Sequence, residues 1–170
     1  MITLQLSGEK IFSSTPQAFS LYEKSRIGEK KRSKIEYSPV EALFLISDGK
    51  AKIFSRKKEL SEDSLIRKLK KRDKKIETKF AVFRELRKRG YIVKTALKFG
   101  AEFRVYDKGD KPGKAHARWI LYTARESDAM NWHDFSAKNR VAHSTKKNLL
   151  IGIVDEEGDV SLYEVSWMRP

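Results

Sequence analysis

Apolar and polar residues alternate in short bursts at the start of the chain. The period of two near 3–6 and 10–12, with Ser7-Gly8 between, predicts a β-hairpin. Thr15-Pro16 has the form of a helix start, with Thr15 as cap, Pro16 in the first helical position and Gly28 as the stop. KIEY at 34–37 reads as a strand. Ser38-Pro39 opens a helix through VEALFLIS that closes at Asp48-Gly49, and AKIF at 51–54 returns as a strand. Ser61 and Ser64 are candidate caps for a helix reaching Lys71. A helical rhythm then runs through Ile76, Phe80, Phe83 and Leu86. Asp73 is its cap and Gly90 its end, with Lys88 and Arg89 in the last turn, where cations suit the helix dipole.

Beyond Gly90 the pattern returns to strands: YIVKTA, EFRVY and KAHARWILYTA. ESDAMNWHDF reads as a loop, SAKNRVAHSTKK as a helix capped by Ser136, and LLIGIVD with VSLYEVSW as a hairpin about the 156–159 turn. Neither an internal repeat nor a low-complexity tract interrupts this order. The expectation is an α+β fold of two small domains, 1–75 and 76–170. The first is expected to be an antiparallel sheet with helices, the second a mixed sheet flanked by helices.

Composition narrows the function. A chain of 170 residues fits one or two domains and buries about 70% of its unfolded surface. It has no Cys, which excludes disulfides, Cys-ligated zinc and iron–sulfur clusters. No apolar run approaches the ~20 residues of a membrane span, and the opening MITLQLSGEK does not read as a secretory leader. A soluble, cytoplasmic protein is expected. Its 37 Lys+Arg against 23 Asp+Glu give a formal charge of +14, so a polyanionic partner is expected. The charge concentrates in 56–90, with 15 Lys/Arg against 6 Asp/Glu. That segment reads either as ordinary solvated helix surface or as a face that holds RNA or a partner's acidic loop.

Candidate chemistry lies in the second half. In EFRVY, alternation places Phe103 and Val105 on one face and Arg104 and Tyr106 on the other. In KAHARWILYT, His116 and Arg118 share a face opposite Ala117, Trp119 and Leu121. With the apolar sides buried, Tyr106 and His116 are expected to project from a sheet edge toward solvent. Lys147 stands where the basic helix turns into LLIGIV, from which an ammonium reaches a site at the sheet's end. DEEGD at 155–159 is the richest acidic stretch, but it sits in a tight turn. Metal-dependent nucleases need carboxylates that converge, so neither a metal site nor a cofactor is expected.

Tyr106, Lys147 and the acidic turn lie within segments that resemble the archaeal tRNA-intron (splicing) endonucleases, and His116 lies between two of them. The segments are YSPVEALFL at 37–45, FRELRKRGYIVKTALKFGAEFRVYDKG at 83–109, RVAHSTKK at 140–147 and IVDEEGDVSLYEVSW at 153–167. The resemblance implies a restriction-nuclease-like C-terminal domain and an active site of Tyr106, His116 and Lys147. It implies metal-independent removal of introns from precursor tRNA at bulge–helix–bulge folds, leaving 2′,3′-cyclic phosphate and 5′-hydroxyl ends. Imidazole, which exchanges protons nearest neutrality, suits the acid, and Lys147 the charge stabiliser. Tyr106 is either the base or the group that orients the 2′-hydroxyl. His133 and His143 fall outside the set.

The resemblance further implies that Arg140 and Trp167 sandwich a flipped base, although Trp167 reads equally as hairpin packing. The acidic tip, Asp155, Glu156, Glu157 and Asp159, would dock into a basic pocket of a neighbouring subunit; read alone, it is a solubilising turn. The implied partners are precursor tRNA and either further copies of the chain or a paralogous structural subunit in a heterotetramer. Two other readings stand beside this one. A non-catalytic RNA-binding subunit of the same complex should lack the Tyr/His/Lys set. A DNA-binding module has only the charge in its favour.

Overall fold

A computed structural model describes residues 1–96 and 100–168, and they form two units, Met1–Phe80 and Ala81–Pro170. The LKF of the resembling segment, 97–99, lies outside the described residues.

In the first unit β1 (Ile2–Ser7) and β2 (Lys10–Ser13) form the expected hairpin, with Ile2, Leu4 and Leu6 facing inward. Helix α1 (Pro16–Ser25) follows, then β3 (Glu29–Lys30), β4 (Ile35–Tyr37), α2 (Pro39–Ser47), β5 (Ala51–Ser55), β6 (Lys58–Leu60) and α3 (Glu62–Lys70). The strand order is β3-β4-β2-β1-β5-β6. This sheet was expected to be antiparallel; it is mixed. After α2 the chain re-enters beside β1 in the same direction, pairing Ile2 with Ala51 and Gln5 with Phe54. A helix between two strands provides the crossover that parallel pairing needs. Helix α2 is buried along Val40–Leu45, and a reciprocal cap between Ser38 and Glu41 starts it.

Gly28 does not stop α1. Arg26 does, in the left-handed region at φ 55°, its N–H bonding Tyr22 O. Gly28 has φ +85°, and a Cβ there would lie 2.4 Å from Ile35 Cγ2. Its N–H donates to the buried Glu41 carboxylate at 2.9 Å. Close approach, added to the positive φ, therefore requires glycine.

Helix α4 (Ile76–Lys88) spans the division between the units. The second unit continues with β7 (Ile92–Thr95), β8 (Phe103–Tyr106), β9 (Trp119–Arg125), α5 (Trp132–Ser144), β10 (Asn148–Val154) and β11 (Val160–Val165). Its sheet has the order β11-β10-β9-β8-β7, with only β9–β10 parallel. Here the expected mixed sheet with flanking helices is observed. Helix α5 packs over Ile120, Tyr122, Leu149 and Ile151. Phe83 of α4 meets Phe103 on the opposite face, with ring centroids 5.8 Å apart. Covered on both faces, β9 is buried continuously from Trp119 to Thr123 rather than alternately.

Two boundaries differ from expectation. The loop expected at 126–135 ends early, because α5 begins at Trp132 with Asn131, not Ser136, as its cap. The Asn131 side chain accepts from Asp134 N at 2.8 Å. The strand expected from Lys114 begins only at Trp119, because Lys114 N and Ala115 N both turn back to Lys111 O. Among the described residues no helix is long and apolar enough to cross a membrane.

Candidate active site

Strand β8 buries Phe103 and Val105 in the core and turns Arg104 and Tyr106 to its other face. Arg104 Nε donates to Thr95 O at 3.2 Å, which anchors the guanidinium across the neighbouring strand. Tyr106 was expected to face solvent, yet it is only 4% exposed. The connection 107–118 folds back over that face, and its residues Gly113–Ala117 form a wall around the phenol.

His116 lies in that connection, not on a strand as expected. The turn at Lys111–Ala115 brings the chain back, and buried Ala117 seats it. Arg118 N then donates to Val105 O at 3.0 Å and Asn148 N to Arg118 O at 2.9 Å, so the segment is stitched to β8 and β10. Arg118 Nη1 also donates to Asp107 Oδ2 at 2.9 Å, closing the connection on itself. Between these anchors the exposed imidazole of His116 stands at the cavity.

Lys147 is placed by the way α5 ends. Lys146 N donates to His143 O and Lys147 N to Ala142 O, with Lys146 at φ 55°. These are the paired bonds of a Schellman closure, with a lysine in the left-handed position usually held by glycine. The closure reverses the chain immediately before β10. Lys147 Nζ donates to Thr145 O at 3.0 Å.

Tyr106, His116 and Lys147 therefore line one cavity of about 330 Å³, together with Arg104, Gly113, Lys114, Ala115 and Ala117. No carboxylate is among these lining residues; Arg104, Lys114 and Lys147 supply three cations. Such a cavity favours a bound phosphate and can stabilise charge that builds up on it. The sequence reading did not select Arg104 or Lys114. Arg104 had a usable signal, since alternation already placed it on the face of Tyr106. Lys114 had none, because its approach depends on how the connection folds.

The other selected residues lie elsewhere on this unit. Arg140 is exposed on α5, one turn before His143. Trp167, 51% exposed, lies against His143 with ring centroids 4.4 Å apart. His143 is thus on the helix and outside the cavity, as expected, and His133 is exposed at the helix start. The acidic tip joins β10 to β11. Asp155 Oδ1 accepts from Asp159 N at 2.8 Å, while Glu156, Glu157 and Asp159 are exposed. Among the described residues no three His, Asp or Glu side chains gather in a way that could hold a metal ion.

The chain matches two family models. One describes the tRNA intron endonuclease, catalytic C-terminal domain, over residues 76–162; the other describes its N-terminal domain, over residues 2–66. It is 40% identical over 169 residues to the tRNA-splicing endonuclease of Pyrococcus horikoshii, covering 99% of this chain and 97% of that one. It is 38% identical over 167 residues to the tRNA-splicing endonuclease of Methanothermobacter thermautotrophicus, covering 98% and 97%. The tRNA-splicing endonuclease of Nanoarchaeum equitans is 38% identical over 137 residues, covering 77% and 88%. With both domains matched in order and relatives aligned across nearly the whole length, this chain belongs to the tRNA-intron endonuclease family.

Proposed function

We propose that this enzyme removes introns from precursor tRNA by cutting at bulge–helix–bulge folds without a metal ion. The observation that best supports this reading is the shared cavity: a phenol from β8, an imidazole from the connection after it and an ammonium from the end of α5 line it. In the proposed reaction the RNA's own 2′-oxygen attacks the adjacent phosphorus. A P–O bond forms to the 2′-oxygen, and the bond to the 5′-oxygen breaks. Tyr106 holds the 2′-hydroxyl and receives either its proton or its hydrogen bond. His116, at the exposed side, gives a proton to the departing 5′-oxygen. Lys147 stabilises the negative charge of the crowded phosphorane, and Arg104 lines the same cavity. The products are a 2′,3′-cyclic phosphate and a 5′-hydroxyl.

Recognition in this reading is of shape. A-form RNA shows little sequence in its deep groove, whereas bulged bases can be splayed out and stacked upon. Arg140 and the half-exposed Trp167 offer such a stacking surface, and each stacked base contributes ~1–3 kcal/mol. The exposed carboxylates of the 155–159 tip suit docking against a basic surface of a neighbouring subunit.

The test uses the purified chain and a bulge–helix–bulge RNA in EDTA, with analysis of the product ends. Cleavage to a cyclic phosphate and a 5′-hydroxyl is expected. A strict Mg²⁺ requirement, or a 5′-phosphate product, would overturn the mechanism. His116→Ala should bind the RNA with unchanged affinity but cleave it at least 10²-fold more slowly, in the range of a lost general acid. Cleavage at the original rate would remove His116 from the site.

A further inference from the structure

The densest positive charge of the chain lies outside the cavity and has no part in the reaction above. It occupies the end of α3 and the turn that follows it, where seven of the nine residues at 67–75 are Lys or Arg and one is Asp. Leu65 is buried and Leu69 half-buried on the inner side of α3, so the helical repeat of 100° per residue sends Arg67 and Lys71 outward, with Lys68 flanking them. Part of the charge is already matched: Lys70 pairs with Glu77, Arg72 with Glu9 and Lys79 with Asp73. Arg67, Lys68, Lys71, Lys74 and Lys75 are exposed and have no acidic partner among the described residues. The hydrogen bond from Arg67 to Ser64 Oγ leaves its charge unmatched.

Five unmatched cations within nine residues repel one another, and helix capping does not require them. Assembly of identical copies can match them locally but cannot lower the total charge. Every added copy brings another +14, and pairing the patch with another copy's acidic tip leaves that sum unchanged. An external polyanion removes the excess and gains entropy by releasing its counterions.

We infer that the 67–75 surface is a phosphate-backbone site that grips the precursor tRNA outside the segment being cut. This rests on the proposed substrate, but it assigns a second contact to the first unit of the chain. It contributes affinity and orientation without reading sequence.

The experiment compares the full chain with a variant carrying Lys68→Gln, Lys71→Gln, Lys74→Gln and Lys75→Gln. Binding is measured to a whole precursor tRNA and to a short bulge–helix–bulge RNA, both with 2′-deoxy sugars at the cut positions, across a salt series. Each duplex phosphate contact contributes about 0.9 to the slope of log Kd against log salt. The variant should lose a slope of about 3.6 on the whole precursor and bind it at least tenfold more weakly at physiological salt, with little change on the short RNA. Its single-turnover cleavage of saturating substrate with ribose at the cut positions should match that of the unsubstituted chain. A Lys→Arg set at the same four positions should restore the slope. An unchanged slope on the precursor would overturn the proposal. So would a variant whose defect is a lower assembly mass by sedimentation, which would make the patch a protein contact. If the unsubstituted chain binds precursor tRNA through these lysines but cuts no RNA, the nuclease reading fails while the backbone site stands.

Discussion

Tyr37 ends β4 with its side chain in the core of the first unit, 6% exposed, and its hydroxyl has no hydrogen-bond partner among the described residues. Burial pushes this phenol well above its ordinary range, and the nearby Glu41 carboxylate adds to the shift. An unfolded phenol loses its proton near pH ~10, whereas the native one holds it to higher pH. Above that point the native state binds more protons than the unfolded state, so stability falls as pH rises; below it the contribution is constant. Urea midpoints between about pH 9 and 11.5 should therefore decline less steeply in Tyr37→Phe than in the unsubstituted chain. A residual decline should remain, because burial also raises Tyr122. At neutral pH the same variant should be unchanged or up to ~1 kcal/mol more stable, since an unpaired buried hydroxyl is removed. The sequence marked Tyr37 as the end of a strand, but its unpaired hydroxyl is a property of the packed core. The same division holds at Arg56 and Lys57. They turn β5 into β6 with φ of 49° and 68°, and neither is a residue that announces a left-handed turn. That hairpin was accordingly not legible.

Among the elements, α4 and β10 of the second unit approach closely. A Cβ on Gly152 would lie 2.6 Å from Val82 Cγ1, so the helix sits on the strand at a distance only glycine permits. Gly152→Ala should cost about 1–3 kcal/mol by overpacking, read as a lower urea midpoint with an unchanged slope. The combination with Val82→Ala should recover part of that loss, and no recovery would show that the strain lies elsewhere. The period of α4 was legible in Ile76, Phe80, Phe83 and Leu86, and the cores of most strands were legible in alternation. Ends were less so. Residues 114–118 look like the start of β9, yet the chain there is held by Arg118 N to Val105 O and by the turn at Lys111. That choice depends on β8 being present beside it.

At the scale of the whole molecule, two cuts in one precursor need two cavities at a fixed separation, and this chain has one such site among its described residues. Assembly is therefore expected to accompany activity. Sedimentation of the active enzyme should give a multiple of 19.7 kDa, and Asp155→Lys/Glu157→Lys should lower that mass. A monomer that cuts both junctions would remove the acidic tip from any role in assembly.

The sequence alone determined the α+β class, the helical and strand periods and the basic middle segment, because each is written in residue type and local spacing; Tyr106, His116 and Lys147 were singled out by the resemblance to the family. The parallel β1–β5 pair, the burial of Tyr106 and the inclusion of Arg104 and Lys114 in the same cavity came from the packing of separate elements. The reason is physical. Periodicity reports which way a side chain points from its own element, whereas a cavity forms where separate elements meet. That meeting is set by turns such as the closure at Lys146 and the connection 107–118, whose geometry depends on partners distant in the chain.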